Sequence, residues 1–273
     1  MNVVFWSPVA GKTGATASLM AAALLAVYKY EKKVLLTQTH YGSSDLENRL
    51  FGREPKKELL QDIGMDAIFR LIRTGNMKQG ESAYNFLKDY ILSIGKGGLH
   101  LLPGTLKGYR EALEEEMVTY LPIVYQCLND SYDMMFTDTA HGCNPVSAML
   151  WEEADVLVVT LSQNKDMIEK CLSHYQFPRK KTVFLIGGYQ RDSIMNSKNL
   201  EKTYKELKGK LYTVPYQTAF MDAISESRCQ EMFLKNLTLR NKADKGEFFD
   251  TVSKMTEMLI SKAIDKGGTG LDT

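Results

Sequence analysis

Short runs of consecutive apolar residues recur along the chain, and they constrain its fold more than any other feature. They lie at Val3–Trp6, Val34–Leu36, Leu99–Leu102, Met134–Thr137, Val156–Thr160, Val183–Ile186 and Leu211–Val214. A strand with one wet face alternates apolar and polar residues, whereas a strand covered on both faces is apolar at consecutive positions. Runs of the second kind, spaced by helical stretches, predict an α/β fold: a doubly wound, mostly parallel sheet flanked by helices, with right-handed crossovers. At 273 residues and 44% hydrophobic, the chain can bury one large α/β core or two small ones. No internal repeat or low-complexity tract marks a second unit. The reading is therefore one domain over residues 1–264, with 265–273 as a frayed tail.

The intervening helices are partly legible. Met65–Arg73 sets Ile68, Leu71 and Ile72 on one side. Glu111–Asn129 begins with acidic residues, which suits the positive end of a helix dipole, and Pro122 is expected to kink or split it. Glu247–Ala263 repeats Phe248, Val252, Met255 and Leu259 at helical spacing. Its polar face carries Asp250, Lys254, Glu257 and Lys262 in mixed sign, which favours docking on the domain over an anionic membrane. Gly52–Lys57 reads as a charged turn.

Charge and composition narrow the function. A net charge of +1 gives no overall signal for nucleic acid or membrane. The four cysteines are widely spaced, without CxxC or zinc-finger spacing, and read as reduced cytosolic thiols. The start of the chain lacks a basic n-region, and Leu19–Val27 is too short to span a bilayer, so a cytoplasmic protein is expected.

The opening stretch carries the chemistry. Val3–Trp6 is a strand, Ser7–Thr16 a loop of small residues with Gly11 and Gly14, and the Ala/Leu/Met-rich segment from Ala17 a helix. Loop and first-turn N–H groups converging at a helix N-terminus make an anion site, the arrangement of a P-loop. Ala10, Gly11, Lys12, Thr13, Gly14, Ala15 and Thr16 are the candidate nucleotide-binding residues. Further on, Met134–Thr137 runs into Asp138, Thr139, Ala140, His141 and Gly142. An apolar strand ending in aspartate and followed by small residues resembles a Walker B strand entering a switch loop. Such an aspartate can hold magnesium, usually through water.

With these segments in order, followed by Ala154–Thr160 and the Val214–Pro215–Tyr216 turn, the chain resembles the MinD/ParA family of deviant-Walker ATPases from Asn2 to about Ser227. Within that family it looks most like the TadZ/CpaE branch, associated with the assembly and positioning of Flp (tight-adherence) pili. The resemblance implies ATP and magnesium as cofactors and face-to-face homodimers.

The departures from the family pattern decide the functional expectation. MinD-like loops read KGGxGKTT. If Thr16 takes the last threonine position, Val9 replaces the signature lysine, Gly14 the phosphate lysine and Ala15 the magnesium-binding hydroxyl. If Gly11–Lys12–Thr13 is the GKT instead, the first strand shrinks to Met1–Val3 and Pro8 and Val9 replace two glycines. The first register is preferred because it keeps a four-residue strand; Lys12 then reaches a phosphate only from a different backbone position. The family's D-x-D becomes Gln38–Thr39–His40, where Gln38 can position a water and His40 reads as an exposed loop residue. Gly187–Gly188–Tyr189 stand where an adenine-contacting asparagine is expected.

A cation on a transferring phosphoryl group is worth about a thousandfold in rate, so hydrolysis is expected to be weak or absent. Loop amides could still hold phosphate weakly. The expectation is a pseudo-ATPase acting as a scaffold for pilus or type II secretion-like machinery, cytoplasmic and peripheral to the membrane or at a cell pole. The alternatives are an active ParA-type ATPase in DNA partition, a dethiobiotin-synthetase-like ligase, and an interaction module without ligand. Other clusters read blandly: Asp138–His141 lacks a nucleophile elbow, Glu114–Glu116 is a solvated helix face, and Arg179–Lys181 is a surface turn.

Overall fold

The computed structural model describes residues 1–41, 45–51, 62–75, 81–95, 97–105, 107, 110–238 and 242–268. The expected charged turn at 52–57 and the last residues of the expected tail, 269–273, lie outside them. Eight strands form one sheet: β1 (Asn2–Trp6), β2 (Val34–Gln38), β3 (Leu92–Ser93), β4 (Leu99–Leu101), β5 (Met134–Asp138), β6 (Val156–Leu161), β7 (Thr182–Tyr189) and β8 (Leu211–Pro215). Their order is β3-β4-β2-β5-β1-β6-β7-β8, parallel throughout except for the two-residue edge strand β3, which pairs antiparallel with β4. That edge strand escaped the sequence reading because two residues carry no periodicity.

β1, β2, β5 and β6 are buried at every position, on both faces, which is why their apolar residues are consecutive. Val3 and Phe5 of β1, Val34 and Leu36 of β2, and Val156 and Val158 of β6 belong to one core layer. Val4 and Trp6, Leu35, and Leu157 and Val159 belong to the other. The first layer is covered by α1 (Ala15–Tyr28), α2 (Asp45–Phe51), α9 (Thr218–Ser225), α10 (Cys229–Thr238) and α11 (Lys242–Gly268). The second is covered by α3 (Gly64–Arg73), α4 (Glu81–Leu87), α5 (Arg110–Leu128), α6 (Pro145–Glu153), α7 (Lys165–His174) and α8 (Ser197–Thr203).

α1 is buried continuously from Ser18 to Val27, because it lies between the sheet and α11. A helix with no wet face needs apolar residues all round, and the Ala/Leu/Met sequence supplies them. In α11, Phe248, Phe249, Val252, Met255 and Leu259 are buried, and Phe248 packs 5.0 Å from Phe220 in α9. The terminal helix is thus docked on the domain. It begins at Lys242, breaks its helical geometry at Gly246 (φ 72°) and runs to Gly268, past the point where a tail was expected.

Three local expectations are corrected. α5 runs unbroken through Pro122. The carbonyl that loses its partner there belongs to Val118, which is exposed, so water can satisfy it. In α3 Gly64, Met65, Ala67, Ile68 and Phe69 are buried, and of the expected face Ile68 is buried while Ile72 packs half-buried against the core and Leu71 is half-buried. Glu114 and Glu116 are not merely solvated. Glu114 accepts from Tyr41 Oη (2.7 Å) and Arg110 Nε (2.8 Å), and Glu116 accepts from Arg73 (3.2 Å) and Lys107 (2.5 Å). These contacts bind the surface of α5 to its neighbours.

Candidate functional site

The carboxyl ends of β1, β2 and β5 are level, since Phe5 and Gln38 both pair with Asp138. The strand order turns outward on either side of β1 and β5, which is where ligands sit in open α/β sheets. The loop leaving β1 closes on itself: Ser7 Oγ donates to the Val9 carbonyl (2.7 Å) and Thr13 Oγ1 donates to Ser7 Oγ (2.8 Å). Gly11 and Gly14 take left-handed backbone, φ 67° and 68°, and α1 starts at Ala15, two residues before the expected Ala17. β1 runs its full length from Asn2 to Trp6.

The loop also packs against β7. A Cβ added at Gly187 would overlap the Thr13 carbonyl oxygen, and one added at Gly14 would sit 3.8 Å from Gly187. Gly187, in the segment where the resemblance expected an asparagine, therefore makes room for the loop backbone.

Asp138 ends β5, is 1% exposed, and accepts a 2.6 Å hydrogen bond from Thr16 Oγ1. His40 is a correction to the sequence reading. It is half-buried, its Nε2 lies 3.0 Å from the Thr139 carbonyl and 3.9 Å from Asp138 Oδ1, and it faces the cleft. Gly142 holds the loop after β5 to the end of β1: its N–H donates to the Ser7 carbonyl (3.0 Å) and its carbonyl accepts from Trp6 Nε1 (2.8 Å). The same loop ends in a capping box, in which Asn144 Oδ1 accepts from the Ser147 N–H and Ser147 Oγ accepts from the Asn144 N–H, both at 2.9 Å, with Pro145 opening α6.

Gln38 is not brought to the cleft. It is fully buried, donating to Glu47 Oε2 (2.6 Å) and accepting from the Leu46 N–H (3.2 Å), while Glu47 Oε1 accepts from the Gly104 N–H (2.7 Å). These bonds tie β2 to α2 and to the chain after β4.

Between the two loops lies a cleft of about 420 Å3, lined by Ala10, Gly11, Thr13–Thr16, His40, Asp138 and His141. Lys12 does not line it. Lys12 lines a neighbouring cleft with Asp166, Lys170 and His174 of α7. Two lining residues, Tyr41 and Arg49, were not singled out by sequence. Burial and its hydrogen bond to Glu114 push the Tyr41 hydroxyl up to about 12, so it remains a neutral donor. Arg49 belongs to a seven-residue helix, too short to show in the apolar pattern.

The cleft can be tested against the implied cofactors. Loop amides, two left-handed glycines and the N-terminus of α1 fit a phosphate. Magnesium beside a phosphate takes one or two protein oxygens. Here Thr16 Oγ1 and Asp138 Oδ2 are engaged with each other, Ala15 offers none, and no cluster of three or more His, Cys, Asp or Glu able to hold a metal occurs among the described residues. The Thr16 hydroxyl and the Asp138 carboxylate are the two side-chain oxygens that would hold a magnesium ion beside a phosphate in this cleft.

A separate feature lies at the amino end of β7 and β8. A cleft of about 680 Å3 gathers Arg179, Lys205, Lys208 and Lys210 with a single carboxylate, Glu206, beside Tyr175 and Phe177. Sequence separates these cations by up to thirty-one positions, as the bond from Lys210 Nζ to the Arg179 carbonyl illustrates (2.5 Å). The basic turn at Arg179–Lys181 is thus part of a larger positive patch.

No family model matches the chain, and neither does any curated protein. Solved structures do. The septum site-determining protein MinD from Pyrococcus horikoshii, complexed with Mg-ADP, superimposes with a TM-score of 0.65 at 14% identity, covering 96% of this chain and 98% of that one. A ParA family ATPase from Chlorobium tepidum gives 0.67 at 15% identity, over 94% and 98%. A putative plasmid partition protein from Borrelia burgdorferi, bound to AMPPNP, gives 0.63 at 14%, over 96% and 98%. The architecture is that of the MinD/ParA P-loop NTPases. The likeness at these identities is one of fold, spread over nearly the whole chain.

Proposed function

We propose that this chain is a MinD/ParA-like positioning or scaffold protein whose nucleotide site has lost its catalytic side chains. The observation that carries the reading is the lining of the phosphate cleft. Val9, Gly14 and Ala15 stand at the lysine, lysine and hydroxyl positions of the resemblance, and Lys12 opens into a different cleft. A cradle with backbone donors but no lysine facing the phosphate cleft retains weak phosphate affinity and loses transition-state stabilisation worth several kcal/mol. The TadZ/CpaE resemblance of the sequence supports action at pilus or type II secretion-like machinery, as a nucleotide-independent homodimer at the cytoplasmic side of the membrane or at a cell pole. Among the described residues no helix is long and apolar enough to cross a membrane.

Calorimetry with ATP-Mg, together with sizing in the presence and absence of nucleotide, tests the reading. The expected result is no measurable magnesium-dependent turnover and a size unchanged by nucleotide. Micromolar ATP-Mg binding with turnover would sink it.

The basic cleft at Arg179 and Lys205–Lys210 favours a second reading, a partition-type role with non-specific DNA binding. Fluorescence anisotropy with a random duplex separates the two. Affinity that falls steeply with salt supports the DNA reading; no binding at 50 mM salt, about the lower end of the range where phosphate contacts dominate, removes it.

A further inference from the structure

We propose that Arg49 holds the negative charge of a phosphate group in the cleft, from α2, in place of lysines at positions 9 and 14, where this chain has valine and glycine; the inference rests on reading the loop as a phosphate cradle. Arg49 is half-buried and lines the same cleft as Gly11, Thr16 and Asp138. It makes no hydrogen bond or ion pair among the described residues. A guanidinium withdrawn from water and left without an anion is costly. The contrast with the other arginines is informative. Arg73 and Arg110, with side chains 56% and 60% exposed, have less need of a partner, yet each sits on a glutamate.

Nearby carboxylates are engaged elsewhere: Asp138 accepts from Thr16, and Glu47 accepts from Gln38 and the Gly104 N–H. Arg49 shares its cleft with the loop amides and the positive end of α1, beside the Asp138 carboxylate that Thr16 engages. Two parallel N–H bonds from a guanidinium match two phosphate oxygens, which an ammonium cannot do.

The helix that carries Arg49 is rigidly placed. Leu46 and Leu50 are buried in the core, Glu47 ties it to β2, and the Asn48 carbonyl accepts from Ser227 Oγ (2.9 Å). The cation therefore approaches from the α2 side, whereas Lys12 opens toward α7. Because arginine supplies the charge, binding needs no magnesium.

Titration calorimetry of the full chain with inorganic phosphate, pyrophosphate and ATP, all in EDTA, tests the proposal in the native protein, R49Q, R49K and K12Q, with the exposed K165Q as control. The expected result is millimolar or tighter binding of at least one of the three, weakened about tenfold or more in R49Q, several-fold in R49K, and unchanged in K165Q. The three ligands distinguish a free phosphate site from one that also takes the nucleoside. Native protein that binds none of them, or K12Q losing as much as R49Q, overturns the proposal. Should R49Q fail to fold by circular dichroism, R49K decides, and unchanged affinity there overturns it. Native silence would leave the non-hydrolysing scaffold reading intact. Magnesium-dependent turnover with R49Q-sensitive binding would instead overturn that reading and support this one.

Discussion

The loop after β1 and the loop after β5 close on the same cleft, yet different forces hold them. The first, Ser7–Gly14, is held by backbone fit: two left-handed glycines, a Ser7–Thr13 hydroxyl bond, and a carbonyl seated against Gly187. The second, Thr139–Asn144, is held by side chains reaching in from strand and helix: the Trp6 indole on the Gly142 carbonyl and the Asn144–Ser147 capping box. A loop shaped by its glycines and one internal hydroxyl pair can change its other side chains without losing its form.

The comparison can be broken most forcefully at Trp6. Its ring is fully buried and meets Trp151 edge-on at 5.0 Å and Tyr175 at 4.9 Å. Trp6→Ala is expected to cost about 3–5 kcal/mol in chemical denaturation. Hydrogen exchange should accelerate at 142–147 more than at 11–16; equal acceleration would mean that the two loops are one unit. Gly187→Ala is the complementary probe. Its methyl group meets the Thr13 carbonyl, so a loss of about 1–3 kcal/mol is expected from overpacking. The neighbouring Gly188→Ala meets nothing within 4 Å and bears only the strain of φ +62°, about 1–2 kcal/mol. Protection should fall first in the phosphate loop for Gly187→Ala, and a midpoint no lower than that of Gly188→Ala would refute the steric account.

A smaller effect is expected at the helix cap. Asn144→Ala removes the acceptor for the Ser147 N–H and should cost about 1 kcal/mol, read as a shift in the denaturation midpoint at constant slope. The smallest lies away from both loops, at His100 of β4, 5.3 Å from the Tyr132 ring. Burial holds its imidazole below the ordinary 6.5. Below that pH the unfolded chain takes up a proton that the folded chain refuses, so stability falls as pH drops from 7 toward 5. His100→Phe should flatten that part of the slope; an unchanged difference between midpoints at pH 7.5 and 5.5 would show that His100 is not its source.

Much of this was legible along the chain because the relevant forces are local. A parallel strand buried on both faces writes itself as consecutive apolar residues, so β1, β2 and β5–β7 could be read directly, and the shorter runs of β4 and β8 with them. The loop–helix junction at Gly11–Thr16 and the aspartate ending β5 are contiguous features with their own turn and strand chemistry. The short helices, the edge strand β3 and the exposure of His40 were not readable. Two to ten residues carry too little periodicity, and the burial of one side chain depends on what folds over it.

The amino-acid sequence by itself determined the layered parallel sheet, the strand–loop–helix cradle at its start, and which side chains stand at each cradle position, since each is written in neighbouring residues. Only the tertiary structure decided which cations line that cleft. Lys12 is adjacent to the cradle in sequence but opens toward α7, while Arg49, more than thirty residues further on, lines the cleft. Gln38 was turned into a buried network with Glu47, and Arg179 was gathered with Lys205–Lys210. Backbone direction at a loop and the packing of a distant helix set where a side chain ends, and neither is encoded at the position itself.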